Sequence, residues 1–348
     1  MRESLLGQSR DNLLRIFAEL GLPNFRAEQL YRGIYVQRVE DFSGLTSLPA
    51  DLRTTLAERY TLERPRIDLV QTDPDGTRKY RFVAADQAAF EAVYIPDVAH
   101  GRKTNTLCIS SQTGCSVGCK FCFTATLRHH RDLAVGEIVG QVMACSADVG
   151  KLSPAARITN VVFMGMGEPL LNYDNVVSAA RILIDPNALG LSSRRVTIST
   201  SGIVPRIYEL GRDLPTQLAV SLNATTDEIR SQIMPINKKW PLETLLTALR
   251  AYPLPPRRRI TIEYVLIKDV NDSPDDARRL AKILAGIPVK INLLGLNAHE
   301  GTALLPPEPE RIDEFQQILF AAGYNALRRT PRGRQISAAC GQLGDRTA

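Results

Sequence analysis

Three of the six cysteines in this 348-residue chain fall within one short stretch, "GCSVGCKFC", as Cys115, Cys119 and Cys122. Thiolates at C-x3-C-x2-C spacing suit zinc or an iron–sulfur cluster, and Gly114 and Gly118 let the loop turn tightly enough for three sulfurs to converge. A structural zinc needs a fourth ligand, usually from a second C-x2-C pair, and the sequence has none. The neighbouring His129 and His130 could supply a nitrogen, so a zinc site stays open on spacing alone. Three ligands on a four-iron cluster would leave one iron free for a substrate or cofactor, which is what catalysis requires. A disulfide role is disfavoured. The N-terminus "MRESLLGQSRDNLLRIFAEL" has the acidic residues and helical period of a folded segment rather than the apolar core of a signal peptide, and no run of about 18 apolar residues occurs. The expectation is therefore a cytoplasmic protein without a membrane association, in a compartment that keeps thiols reduced.

The elements that would position these thiols follow from periodicity. Residues 1–62 read as a small helical domain: Leu13, Leu14, Phe17 and Leu20 share one helical face that stops at Gly21, and Leu30, Ile34 and Tyr35 repeat it. A further helix follows Pro49, with Thr46 or Ser47 as the expected cap. Residues 63–103 read as a β-hairpin linker around the turn Pro74-Asp75-Gly76. From 104 to 330, β-branched runs alternate with helical stretches: Thr106 to Ser110, Ile158 to Met164, Arg195 to Thr200, Gln217 to Leu222, Ile260 to Ile267 and Val289 to Leu294. Such alternation predicts right-handed βαβ units and a parallel sheet of six strands, too few for a closed eight-fold barrel. The fold class is thus α/β, a partial (β/α)6 barrel with an N-terminal helical domain, and residues 331–348 form a C-terminal segment. Chemistry is expected at the C-terminal strand ends, where the cysteine loop begins.

Composition adds little by itself. Charged residues are 23% and hydrophobic ones 44%, which excludes a disordered or membrane class. The net charge of +6 weakly favours a polyanionic partner. Its distribution is more telling: "RHHR" (Arg128 to Arg131), "PPRRRI" (Arg257 to Arg259) and "RRTPRGR" (Arg328 to Arg334) are basic bursts beside the loops that would bear a site, although any one of them is equally readable as solvated surface.

On these residues the chain resembles the radical S-adenosylmethionine enzymes. "CSVGCKFC" looks like their cluster signature, and Gly167 and Glu168 in "FMGMGEPLLN" look like their segment for the cofactor amino group. Ordered blocks across the chain, "TLCISSQTGC", "MGMGEPLLN", "RRVTISTSG", "LAVSLNA", "EIRSQIMPIN" and "ISAACGQL", resemble the RlmN/Cfr family of RNA (adenine) methyltransferases, and the RlmN branch most closely. The N-terminal "LPNFRAEQLYRGIY" is similar to that group as well.

What the resemblance implies is specific. One [4Fe-4S] cluster would sit on Cys115, Cys119 and Cys122, and two molecules of S-adenosylmethionine would be used per turnover. The first methylates Cys340; the second yields a 5′-deoxyadenosyl radical that activates the Cys340 methyl group for addition to adenine, a carbon with no useful nucleophilicity of its own. Glu91 matches the family's proton acceptor, and Cys108 matches the thiol that resolves the adduct through a transient disulfide with Cys340. Ser199, Ser221, Leu222, Asn223 and Asn297 match cofactor contacts. The implied substrates are 23S rRNA and tRNA, with an electron donor such as flavodoxin or ferredoxin and a monomeric enzyme. Taken as isolated residues, Glu91 would be a solvent-facing strand residue and Cys145 a buried hydrophobe. The sequence departs from the family at Phe123, where a small residue is usual, at Asn223, where histidine is frequent, and at "GLNAHEG" around Asn297. These departures leave adenine C8, as in Cfr, open beside C2. Two other readings remain: a zinc-containing RNA-binding protein without catalysis, and a radical enzyme for a small molecule.

Overall fold

Apolar β-branched runs separated by amphipathic helices bury both faces of a sheet when the strands run parallel and the helices cover them. The chain adopts that arrangement in a computed structural model that describes residues 2–97, 104–128, 130–153, 156–299 and 301–344. Strands β1 (Glu3–Ser4) and β2 (Tyr60–Thr61) pair parallel and tie the start of the N-terminal helical region to its end. Between them lie α1 (Arg10–Glu19), α2 (Asn24–Arg32) and α3 (Ala50–Arg59). Leu13, Phe17, Leu30, Ile34 and Tyr35 are buried as their period predicts. The expected cap of α3 is not made. Pro49 itself occupies the N-cap position and no side chain caps the helix. The buried Leu48 fixes the chain there, which leaves Thr46 and Ser47 too early to reach the first turn.

β3 (Arg66–Thr72), β4 (Arg78–Val83) and β5 (Ala89–Ile95) form an antiparallel meander around the predicted turn, with Asp73 N bonded to Thr77 O at 2.8 Å. This meander is not a separate linker. β5 pairs antiparallel with β6 (Thr106–Cys108), so the three strands extend the main sheet to ten. From β6 the order follows the sequence, all parallel: β7 (Asn160–Phe163), β8 (Val196–Thr200), β9 (Gln217–Ser221), β10 (Ile260–Leu266), β11 (Val289–Gly295) and a short seventh, β12 (Ala326–Arg328). The connections carry α4 (Val135–Leu152), α5 (Tyr173–Ile184), α6 (Val204–Asp213), α7 (Asp227–Ile233), α8 (Leu242–Arg250), α9 (Pro274–Ile283) and α10 (Pro309–Ala321). Six parallel strands coincide with the predicted runs. β12 escapes prediction because three residues carry no period.

The main core cluster runs from Leu5 to Leu343, with Cys145 fully buried in it, and a smaller second one gathers Ala224, Ile233, Met234, Ile267 and Leu296. No helix among the described residues is long and apolar enough to cross a membrane.

Candidate active site

At the C-terminal ends of the barrel strands lies an open-mouthed cavity of about 980 Å³. Cys115, Cys119 and Cys122 form one side of it, and Glu168, Ser199 and Ser221 come from the opposite strand ends. The three thiols are free. Among the described residues no three His, Cys, Asp or Glu side chains draw close enough to enclose a metal ion, so the sulfurs share a wall without closing into a cage. His129 lies outside the described residues, and His130 joins no such group. The donor set nonetheless suits an iron–sulfur centre better than structural zinc: three cysteines on one loop, with open space where a fourth ligand would stand. Burial is the leading cause that pushes all three thiols up, Cys115 to about 12 and Cys119 well above its ordinary value. Each becomes a thiolate only against a cation, which a metal centre supplies.

The strand side is knitted together by side chains. Glu168 follows Gly167, whose φ of 99° and close approach to Gln112 leave no room for a Cβ. The Glu168 amide donates to Gln112 Oε1 at 2.8 Å. Its carboxylate accepts from Leu170 N at 3.0 Å and from both Ser201 N and Ser201 Oγ at 2.7 Å. Burial nevertheless raises its pKa, the donors only partly offsetting it. Asn223, in the left-handed region at φ 57°, accepts from Val265 N at 2.8 Å, a conformation asparagine tolerates. Beneath these residues runs Arg230 of α7, fully buried. Its guanidinium donates to the carbonyls of Leu222 (2.9 Å), Ser201 (2.7 Å) and Ser221 (3.1 Å) and to Asn237 Oδ1 (3.0 Å), thereby joining the ends of β8 and β9. Burial lowers its pKa to about 10, so it is charged at neutral pH.

The remaining wall is the C-terminal segment, a strap laid across the cavity. Phe123 N donates to Gly341 O at 2.8 Å, Thr124 Oγ1 to Leu343 O at 2.7 Å, and Asn297 Nδ2 to Cys340 O at 3.1 Å. Gly341, at φ 82°, turns directly beneath the Phe121 carbonyl. Cys340 is accessible, but what it meets is cavity: it lines the large space and also a second, narrower one that Cys108 lines. Burial and then the nearby Glu263 carboxylate push its thiol to about 11. Cys108, at the end of β6, is buried, and burial and then Cys340 push its thiol up strongly.

Two predicted residues stand elsewhere. Leu222 is fully buried, away from the cavity lining, and contributes through its carbonyl to Arg230. Glu91 is buried on β5 rather than facing solvent, and it does not line the large cavity. Its carboxylate accepts from Gly344 N at 2.8 Å and lies 3.5 Å from Lys79 Nζ, beneath the strap. Gly167, Glu168, Ser199, Ser221, Asn223 and Asn297 all line the large cavity. Sequence reasoning missed Arg230 and Glu263. An arginine among Ile229, Ile233 and Met234, and a lone acid inside "ITIEYVLI", were the available signals. The basic bursts divide. Arg131 is held by Asp86 and Glu137, Arg328 by Asp313 and Arg332 by Asp75, whereas Arg257, Arg259 and Arg334 are exposed; contrary to expectation, Arg257 and Arg259 lead into the start of β10, at the end of the barrel opposite the cavity. The departures from the family pattern also meet, Phe123 standing edge-on to His299 with ring centres 5.6 Å apart.

A parallel sheet whose first strand leads into three free thiols, with a glycine-glutamate turn after the second, defines the radical S-adenosylmethionine class of enzyme. The family model for the radical SAM superfamily matches residues 109–281, and the model for the ribosomal RNA large subunit methyltransferase N-terminal domain matches residues 3–62. The dual-specificity RNA methyltransferase RlmN of Geotalea uraniireducens is 47% identical over 326 residues, covering 94% of this chain and 92% of the relative. That of Geobacter sulfurreducens is 46% identical over 97% of this chain and 91% of its own length. Among solved structures, a radical SAM methyltransferase from Sphaerobacter thermophilus superposes with a TM-score of 0.90 at 39% identity, covering 98% of this chain and 99% of that one. The chain belongs to the RlmN family of radical S-adenosylmethionine RNA methyltransferases. With that membership goes the use of an iron–sulfur centre and S-adenosylmethionine.

Proposed function

We propose that the protein is a cytoplasmic enzyme that methylates C2 of adenosine in 23S rRNA and tRNA, with Cys340 as methyl carrier. The observation that carries this reading is the position of Cys340 between two cavities, one shared with the cluster thiols and the strand-end polar groups, the other with Cys108. A sulfur so placed can take a methyl group on one side and meet a second thiol on the other. The names of the relatives support the RNA substrates.

Cys115, Cys119 and Cys122 would hold a [4Fe-4S] cluster, which, reduced by a flavodoxin- or ferredoxin-type donor, would supply the electron for radical cleavage of S-adenosylmethionine. Gly167, Glu168, Ser199, Ser221, Asn223 and Asn297 bind and orient the cofactor. Cys340 attacks the methyl group of one cofactor molecule. After its carbon has lost a hydrogen atom and joined adenine, Cys108 attacks the Cys340 sulfur: the S–S bond forms, the bond from that sulfur to the carbon breaks, the carbon takes up a proton, and the surplus electron would return to the iron–sulfur centre, leaving a Cys108–Cys340 disulfide. Glu91 takes the ring proton. Because Gly344 and Lys79 hold its carboxylate, the end of the strap leaves it when adenine enters. The base must be exposed or flipped to reach this depth, and the exposed Arg334 of the strap offers a phosphate contact beside the mouth.

Anaerobic incubation with RNA, a reductant and methyl-deuterated S-adenosylmethionine, read by nucleoside mass spectrometry, tests the reading. Deuterium-labelled 2-methyladenosine from the wild type and none from Cys340→Ala is the expected result. Label at 8-methyladenosine would move the activity to the other ring carbon, and label at neither would end the proposal.

A further inference from the structure

Glu263 is the one acidic residue in the apolar run of β10, and its place is defined by the register of the barrel. Ser221 of β9 lies beside it on one side and Asn292 of β11 on the other. Asn292 Nδ2 donates to Glu263 Oε1 at 2.8 Å, which fixes the carboxylate and leaves its second oxygen to the cavity that Glu263 and Cys340 both line. No lysine or arginine among the described residues forms an ion pair with it. A carboxylate in the middle of a barrel strand costs stability and adds nothing to packing, so its value lies in what enters the cavity. Of the charged groups, Glu263 also acts most strongly on the Cys340 thiol, ahead of Arg329 and Cys122.

A thiol in that setting is a poor nucleophile. Burial and the facing carboxylate hold Cys340 protonated at neutral pH, yet only the thiolate displaces a methyl group. Resting on the reading of Cys340 as methyl carrier, we propose that Glu263 is the base that takes the Cys340 proton as its sulfur attacks a sulfonium methyl donor. In that step the Cys340 S–C bond forms, the donor's S–CH3 bond breaks, and the proton passes from the Cys340 sulfur to a Glu263 oxygen. The donor leaves as a neutral thioether. One negative and one positive charge disappear together, which a mostly apolar cavity wall favours. Burial also raises the pKa of Glu263, outweighing the hydrogen bond from Asn292 and the fields of Arg329 and Lys290, so the protonated product state suits its surroundings. The other ionisable groups that act on Cys340 are Arg329, whose guanidinium offers no basic lone pair, and Cys122, which belongs to the cluster loop.

The test compares wild type, Glu263→Gln and Glu263→Asp, each with its cluster, with matched iron content and with Cys340 unmethylated by intact mass. Transfer of a deuterated methyl group to the C-terminal peptide is timed without RNA between pH 6.5 and 9.5. Loss of a general base predicts transfer about a hundredfold slower in Glu263→Gln at pH 7. That rate rises with each pH unit toward the thiol's own ionisation, so the deficit narrows in alkali, and Glu263→Asp falls between the two. In a second measurement, without methyl donor, the pH midpoint for iodoacetamide alkylation of Cys340 falls in Glu263→Gln, because the facing negative charge is gone. A thiol that ionises more easily and yet is methylated more slowly has lost a base, not its packing. Equal transfer rates at pH 7, a deficit constant across pH, or an unmoved alkylation midpoint each overturns the proposal. A wild type that never acquires the label overturns the Cys340 reading itself.

Discussion

The two sides of the cavity are built differently. On the strand side, Glu168, Ser201, Asn223 and Arg230 are buried side chains whose polar atoms bond to one another or to strand-end backbone. On the strap side, residues 332–344 have almost no regular structure and are held by hydrogen bonds to the turn at Asp73 to Thr77, the cluster loop at Phe123 and Thr124, the loop at Asn297 and Ala298, and Glu91 of β5, with Ala338 and Leu343 packed against the core. One wall is bonded into the sheet, whereas the other hangs mostly on loop contacts and is the one the proposed chemistry requires to lift. The division matches the chemistry proposed for each: the fixed wall holds a cofactor in one pose, and the liftable wall carries a sulfur that meets a methyl donor, a nucleobase and a second thiol in turn.

The comparison breaks most readily at Arg230. Arg230→Met removes the donors to three buried carbonyls and Asn237, and each orphaned buried acceptor costs about 1–3 kcal/mol. Global stability should fall by roughly 3 kcal/mol or more, read as a lower urea midpoint with an unchanged m-value. If instead stability holds and only the strap loosens, the two walls are not distinct.

The fixed wall was the more legible in the sequence, for a physical reason. Strand and helix periods repeat over many residues, so β7 to β11 and the glycine-glutamate turn stand out. The thiol loop stands out because cysteine is rare and its spacing constrains geometry. Arg230 was hidden because one charged residue in a seven-residue helix does not disturb the period, and its partners are backbone atoms far away in sequence. The strap has no period at all. Its contacts run from Gly344 to Glu91 and from Gly333 to Asp75, and they exist only once the barrel has formed. For the same reason the burial of Glu91 beneath it could not be read from the alternation of β5, which suggested an exposed face. The extra strand β12 and the two-residue pair β1–β2 are too short to announce themselves.

A smaller perturbation tests the liftable wall alone. Thr124 is buried, and its hydroxyl holds Leu343 O. Thr124→Val keeps the shape and loses one hydrogen bond worth about 1 kcal/mol, a factor of about five in the docked population of the strap. The amides of Phe123 and Gly344, which bond across to Gly341 O and Glu91, should exchange with deuterium about fivefold faster, and methyl loading of Cys340 should slow to a similar degree. Global stability should stay within about 1 kcal/mol, and Thr124→Ser should restore both readouts. Faster exchange throughout the barrel would mean that the strap is part of the fixed core.

The mildest effect belongs to acid at the other end of the strap. Asp75 accepts from Thr77 N at 2.8 Å and Gly333 N at 3.0 Å and pairs with Arg332 Nε at 3.1 Å. Burial works against its ionised form, yet the hydrogen bonds from Thr77 and Gly333 and the Arg332 charge outweigh that, and its pKa lies below the ordinary 3.8. For a carboxylate lowered on folding, the stabilisation is complete above the unfolded value and fades as pH falls through the folded one. As pH falls below about 4 the Gly333 amide should therefore lose protection before the barrel strands do. The change should be only a few-fold, because Asp75 is partly exposed and its charge is screened. Asp75→Asn should show the loosened state already at pH 7 and no acid step. An Asp75→Asn protein that keeps full protection at Gly333 would place the hinge of the strap elsewhere, closer to the cluster loop than to the hairpin.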